Sequence, residues 1–335
     1  MPELPEVETI AAGVHARVHG ARIVRVWTSG KPQTFKSPED EIARALTGSR
    51  IDSVRRVGKT IVMTVHRGKT PDRKDVGAPS IAPGAPSFPA LSERVGYGST
   101  ELLTHKTPGA PSIAASSRWV GSTELLIHLG MTGRLLVSAP EIPIAPHTHA
   151  VLTLSGAPGE TAAREIRFID PRRFGRISLH TPPPTTSNQQ PTTFSGPGRE
   201  PLTISLADFI ALFHPRRTPI KAALLNQSLL HGIGNIYADE SLFRAGLRPT
   251  RQAARLTRAE LARLRTSLVQ VLRHAIRLGG SSVSDYVDAE GARGFFQLQH
   301  KVYRRTGQPC LVCATPIRRI TLAGRGTHFC PHCQR

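Results

Sequence analysis

No stretch of this chain stays apolar for the roughly 20 residues that a bilayer-crossing helix requires, so nothing in it reads as a membrane span. The first residues do not read as a secretory leader either. Met1-Pro2-Glu3-Leu4-Pro5-Glu6 is acidic and punctuated by proline, the reverse of a basic segment followed by an apolar one. These two absences predict a cytoplasmic protein. Cysteine does not occur before Cys310, so disulfides do not hold the main body together. Acidic residues are scarce: 24 Asp and Glu stand against 44 Lys and Arg, a formal net charge of +20. That excess favours a polyanionic partner, because each phosphate neutralised by a cation releases condensed counterions. Charge alone is equally compatible with a merely basic soluble protein.

The 335 residues suffice for two domains with sizeable cores. Val7, Ile10, Val14 and Val18 recur at helical spacing, which predicts a first helix starting near Pro5. Proline fits the first helical turn, where the hydrogen bond it lacks would go unmade anyway. Short β-type runs follow at Ile23–Val26, Thr60–Val65, Glu124–His128, Arg134–Val137, Ala150–Leu154, Arg164–Ile169 and Arg176–Leu179. Their β-branched content and turn-rich spacing predict an antiparallel sandwich or barrel over residues 1–180. Residues 66–119 interrupt it with a stretch rich in Gly, Ala, Pro and Ser, in which Gly77–Ala82 is echoed by Gly109–Ala114. So little apolar surface does not offset the entropy of ordering, and disorder is expected there.

A polar, proline-rich linker is expected at 181–201. Beyond it the pattern turns helical over 202–298. Ser205-Leu206-Ala207-Asp208 opens one helix, and Thr257-Arg258-Ala259-Glu260 forms a capping box for a long one ending at Gly279-Gly280. In the last segment, 301–335, Cys310-x-x-Cys313 and Cys330-x-x-Cys333 have the spacing of a four-cysteine zinc site. Four thiolates leave no position open to water, so one structural Zn2+ is expected. It supplies folding energy that so short a segment does not find in a core.

Read with that zinc pattern, Pro2-Glu3-Leu4-Pro5-Glu6-Val7-Glu8 resembles the start of the bacterial formamidopyrimidine-DNA glycosylases, close relatives of the endonuclease VIII enzymes. The resemblance continues through Ile127–Gly133, Asp170–Gly175, Gly232–Ala238 and Gly326–Cys330. Five strings in the family's order cover nearly the whole chain outside the insertion. The fold implied is α+β and multidomain: an N-terminal antiparallel β-sandwich with flanking helices, a helix–two-turn–helix domain and a four-cysteine zinc finger. The activity implied is that of a base-excision-repair DNA glycosylase and AP lyase. It excises oxidised purines such as 8-oxoguanine from duplex DNA through a Schiff base and nicks the strand by β,δ-elimination. A monomer with no organic cofactor is expected. Endonuclease VIII enzymes, which act on oxidised pyrimidines, usually carry glycine where this chain has Leu4. A non-catalytic binder of damaged DNA on the same scaffold is the reading from another class, and the joint presence of Pro2, Glu3 and Lys59 argues against it.

By themselves Pro2 and Glu3 read as an ordinary helix lead-in and Lys59 as a solvated turn lysine. The resemblance gives them work. Once Met1 is removed, the secondary amine of Pro2 is the implied nucleophile, in the iminium form of covalent catalysis. Glu3 is the implied proton donor, although a helix N-terminus favours carboxylate, so burial or bound DNA has to raise its pKa. Lys59 is implied to assist β-elimination. Arg325 is assigned to δ-elimination and to gripping phosphate, and phosphate clamping suits a guanidinium better than proton donation. Met131, Arg172 and Phe174 match the trio that fills the void left by an extruded base. Gly232-Ile233-Gly234 before a helix at Asn235 offers amides for phosphate, with Asn235 as a further donor and Lys221 as a point charge. His147 and Arg216 match further backbone contacts. Glu6 is either a lesion contact or a first-turn dipole partner. Ser281–Gln297, with Asp285-Tyr286, resembles the loop that closes over an oxidised purine.

Overall fold

Helix α1 (Leu4–Val18) sets the plan of the molecule, because its two ends belong to different cores. Val7, Ile10, Val14 and Val18 are buried in one apolar cluster with Ile61, Leu125, Leu152 and Phe168. Leu4, one turn earlier, is buried in a second cluster with Phe209, Ile233, Tyr237 and Leu268. The first residues of the chain are thereby held at the junction of the two cores. The computed structural model describes residues 1–67, 122–155, 163–180, 193–282 and 287–335. Nearly all of the 66–119 insertion, the first part of the 181–201 linker, and Asp285-Tyr286 lie outside the described residues.

The first core lies between two antiparallel four-stranded sheets. One has the order β1-β6-β7-β5, formed by β1 (Ile23–Thr28), β5 (Arg134–Ser138), β6 (Thr148–Leu154) and β7 (Arg164–Ile169). The other has the order β2-β3-β4-β8, formed by β2 (Arg50–Val57), β3 (Thr60–His66), β4 (Ser122–His128) and β8 (Arg176–His180). All seven expected strands are present. Strand β2 and the short helix α2 (Glu39–Leu46) were not expected. In β2 the core residues Ile51 and Val54 are three apart, because the register slips between Ile51 and Ser53. A bulge thus replaced the period of two by which a strand is recognised.

The second core is helical: α3 (Leu206–Phe213), α4 (Ile220–Leu225), α5 (Asn235–Ala245) and α6 (Arg258–Arg277). The expected caps are made. Ser205 accepts from the Asp208 amide, Thr257 and Glu260 form the reciprocal box, and Gly279 and Gly280 follow α6 with φ of 71° and 80°. Each side-chain cap contributes about 1 kcal/mol. The described part of the linker is tied down: the Phe194 amide donates to Glu124, and Glu200 accepts two bonds from Arg56. At the C-terminus β9 (Arg318–Leu322) and β10 (Arg325–Phe329) form a hairpin. Its two turn residues, Ala323 and Gly324, have φ of 48° and 71°, the backbone of a tight two-residue hairpin turn. No helix among the described residues is long and apolar enough to cross a membrane.

Candidate active site at the junction of the two cores

Where α1 begins, the Leu4 amide donates to the Gly232 carbonyl at 2.9 Å, fastening the N-terminus to the turn before α5. The Glu3 carboxyl then meets the first turn of α5, accepting from the amides of Ile236 (3.1 Å) and Tyr237 (3.4 Å). Gly234 makes this possible, since a Cβ there would lie 2.2 Å from the Glu3 carboxyl carbon. A helix N-terminus lowers a carboxyl pKa, and nearby Lys59 does the same, but burial outweighs both. The Glu3 pKa is raised to about 7, chiefly by desolvation, with Glu6 adding to the rise. Burial was the condition set for Glu3 to serve as an acid, and it is met without DNA.

Glu6 is buried beside it and is no free lesion contact. Its carboxylate accepts from the Glu3 amide (2.8 Å), from the Ser281 amide (2.7 Å) and from the Tyr237 hydroxyl. It therefore joins α1, α5 and the root of the 281–297 loop. That loop reaches the first core as well: Ala289 is buried there, and Glu290 pairs with Arg17 of α1.

Lys59 is placed by the turn between β2 and β3, where Gly58 has φ of 61°. Its pKa is lowered, first by burial, while Glu3 opposes and Arg325 reinforces that shift. Glu3, Lys59 and Arg325 thus lie within electrostatic reach of one another. His128, which the sequence reading did not single out, belongs to the same group. It pairs with Thr60 across the β3–β4 ladder, and burial, then Lys59, lower its pKa. Its Nδ1 accepts from the Gly130 amide at 3.1 Å, which leaves Nε2 as the ring donor. A histidine directly after the apolar run Leu125-Leu126-Ile127 was the available signal. Pro2 is buried, and Met1 before it is half exposed.

Arg325 is exposed at the start of β10, and its neighbour Gly326 is clamped from below. The Gly326 carbonyl accepts from Lys221 Nζ (3.0 Å) and from Asn235 Nδ2 (2.9 Å). Lys221 corrects an expectation. It was expected to offer its charge to phosphate, but it is fully buried, paired with Asp239 at 2.7 Å and bonded to the Thr327 hydroxyl. An ammonium so enclosed has no face left for a ligand. The other carboxylate oxygen of Asp239 accepts from the His328 amide at 2.9 Å, so the finger hairpin is seated on α4 and α5 through one buried acid.

Met131, Arg172 and Phe174 project from two turns organised by another buried acid, Asp170. It accepts from the Thr132 hydroxyl (2.6 Å) and the Gly175 amide (2.7 Å), and its own amide donates to the His147 carbonyl (3.0 Å). The turns touch closely: a Cβ on Gly130 would lie 2.5 Å from the Gly175 amide nitrogen. Met131 and Phe174 are 42% and 48% exposed, too open for core residues, and the Arg172 guanidinium lies 4.8 Å from the Phe174 ring centre. His147 adopts a φ of 64°, a costly backbone state for a non-glycine residue. Arg216 is exposed between α3 and α4, and its described bonds do not reach the Glu3–Lys59 group.

The four sulfurs of Cys310, Cys313, Cys330 and Cys333 lie within 4.8 Å of one another. A tetrahedral zinc with Zn–S bonds of about 2.3 Å sets its sulfurs about 3.8 Å apart, so the donor set fits. The amides of Val312 and Cys333 point at the sulfurs of Cys310 and Cys330, as expected around thiolates. The site is one of structural zinc.

Three family profiles match the chain. One described as the formamidopyrimidine-DNA glycosylase N-terminal domain covers residues 1–77 and 104–177. Another, the formamidopyrimidine-DNA glycosylase H2TH domain, covers 197–287, and a zinc finger found in FPG and IleRS covers 307–335. The formamidopyrimidine-DNA glycosylase of Solibacter usitatus (strain Ellin6076) is 37% identical over 342 residues, with 100% of both chains covered. That of Gluconobacter oxydans (strain 621H) is 35% identical over 339 residues at the same coverage. Among solved structures, the MutM (Fpg) protein of Thermus thermophilus aligns with a TM-score of 0.70 at 34% identity, covering 99% of this chain and 98% of that one. Lactococcus lactis Fpg in complex with DNA containing an abasic site aligns with a TM-score of 0.70 at 25% identity, covering 99% of each chain.

Proposed function

Because this chain belongs to the formamidopyrimidine-DNA glycosylase family, and is a base-excision-repair DNA glycosylase and AP lyase, we propose a division of labour among its residues. Pro2, freed of Met1, is the nucleophile. Its amine bonds to the sugar carbon C1′ as the bond from that carbon to the base breaks, and the base leaves with the electron pair. Glu3, protonated up to about pH 7, supplies a proton to the departing base or to the opening sugar oxygen. The iminium then draws electrons from the adjacent C2′–H bond, and the 3′ phosphate leaves as that proton is lost. Lys59, whose ammonium is weakened by burial, serves this β-elimination. The observation that carries the reading is the buried Glu3 carboxyl, one residue from the amine, facing Lys59 with a pKa near neutrality.

Binding is divided differently. Arg325 grips a phosphate beside the reacting sugar, with Asn235 and Lys221 holding the hairpin that presents it. Neutral His128 adds an Nε2–H donor next to Lys59. Met131, Arg172 and Phe174 fill the gap in the duplex, while His147 and Arg216 steady the backbone. The zinc stabilises the finger and takes no part in the chemistry. One chain carries the whole constellation, which supports a monomer acting on duplex DNA; the cytoplasm is the proposed compartment.

Oxidised purines are the proposed substrates. A second reading, oxidised pyrimidines, has its own support, since Lactococcus lactis Fpg was solved with DNA containing an oxidised pyrimidine. Processed, zinc-loaded protein is incubated with 8-oxoguanine and thymine-glycol duplexes in parallel, with borohydride present. Covalent trapping that favours 8-oxoguanine and disappears when the terminal amine is blocked is the expected result. Undiminished cleavage after blocking would overturn the role of Pro2, and preference for thymine glycol would overturn the purine reading.

A further inference from the structure

On the helical domain, α5, α6 and the first knuckle of the finger enclose a half-open trough of about 670 Å³. Its floor is apolar, made by Phe243, Val271 and the buried ring of Phe296. Its outer wall is Leu311 and Val312, the two residues between the first pair of cysteines, which are 60% and 74% exposed. Large aliphatic side chains that open to solvent at the lip of a concave apolar surface need a reason. The zinc fold below does not supply one, because the knuckle's spacing requires only cysteines at its ends.

The rim has one sign of charge. Arg244, Arg273, Arg277 and Lys301 surround the trough, and among the described residues none of them is in an ion pair. The only acid lining it, Glu240, is occupied elsewhere: its carboxylate accepts from the amides of Lys301, Val302 and Tyr303. None of these groups belongs to the proposed reaction. Glu3 meets the first turn of α5, whereas the trough begins at Glu240, a turn further along the helix.

We propose that this trough is a docking site for an acidic peptide segment of another protein that carries bulky apolar side chains. Carboxylates meet the four rim cations, while a leucine- or phenylalanine-sized side chain enters the trough beside Val312. A nucleic-acid backbone would answer the charge but not the apolar floor and wall, which is why a peptide is the better fit.

The test uses the zinc-loaded full chain and a fluorescein-labelled ten-residue peptide of Glu, Leu and Phe, followed by anisotropy. A control peptide has Ser in place of Leu and Phe. Saturable binding is expected for the first peptide, weakened about tenfold in the control. The double variant Arg273→Glu, Arg277→Glu and the single variant Val312→Asp should each weaken it about tenfold. Both variants alter exposed positions, and both should cleave a lesion duplex at the unaltered rate, which also reports that they are folded. A saturating lesion duplex should not displace the peptide. The proposal fails if the peptide does not saturate, if the variants bind it as well as the parent, if they lose cleavage, or if the duplex competes, which would mark the trough as nucleic-acid surface.

Discussion

The Lys59 turn and the Lys221 joint put two lysines within electrostatic reach of Glu3 and treat them oppositely. Burial lowers the pKa of both, yet their partners differ. Lys221 is enclosed by Asp239, Thr327 and the Gly326 carbonyl, so every direction in which its ammonium can donate is taken. Among the described residues, no hydrogen bond or ion pair holds the Lys59 ammonium; Glu3 reaches it only through space. A lysine with its donors committed is a fastener, whereas one weakened and uncommitted is available for chemistry. The comparison can be broken by substitution. Lys221→Met strands the Asp239 carboxylate in a dry site and should cost about 3–5 kcal/mol of stability in urea denaturation. Lys59→Met should change stability by less than about 1 kcal/mol. It should still slow strand nicking about a hundredfold or more in a single-turnover assay on abasic duplex. Equal losses of stability would mean that both lysines are fasteners.

That contrast also marks how far the sequence could be read. Local signals carried well: the Thr257–Glu260 box, the glycine turn ahead of Asn235, and the cysteine pairs all act within a few residues. The buried acids did not carry. Asp239 and Asp170 look like ordinary polar residues, and their importance comes from partners far away in the chain, such as Lys221, His328, Thr132 and His147. Lys221 was misread for the same reason, since its position near the glycine turn ahead of Asn235 was visible but the acid that claims it was not. Strand β2 was lost to its bulge.

Within the reactive group, Glu3 sharpens the comparison, because its titration has a sign opposite to that of a surface carboxylate. Its pKa rises from an ordinary 4.5 to about 7 on folding, so between those values the folded protein holds a proton that the unfolded chain has released. Stability tied to that proton is full below about pH 4.5 and declines as pH rises to about 7, by roughly 3 kcal/mol for a shift of this size. Denaturation midpoints measured across that window should fall with rising pH, and Glu3→Gln should flatten the slope. In the proposed mechanism the same proton governs excision. Single-turnover release of 8-oxoguanine should drop above about pH 7, with the drop tracking the Glu3 titration. If the parent lost excision only above about pH 9, two units past that titration, Glu3 would not be the acid.

The smallest expected change in stability concerns the turns held by Asp170, and it separates a side chain built for DNA from one built for the fold. Phe174 is nearly half exposed and its ring meets the guanidinium of Arg172, a contact that contributes about 0.5–1 kcal/mol at an exposed site. Phe174→Ala should therefore shift the urea midpoint by no more than that contact allows. Removal of a buried phenylalanine costs about 3–5 kcal/mol, so the two cases are well resolved. Excision should suffer far more than folding, because the extruded state of the duplex loses its stacking surface, and stacking of one base on an aromatic ring contributes about 1–3 kcal/mol. Stopped-flow fluorescence of 2-aminopurine placed beside the lesion should report slower or less complete extrusion, with about a tenfold fall in excision rate. A variant that unfolds easily but flips bases normally would put Phe174 in the core of the turn, and the assignment of Met131, Arg172 and Phe174 to the duplex would fall with it.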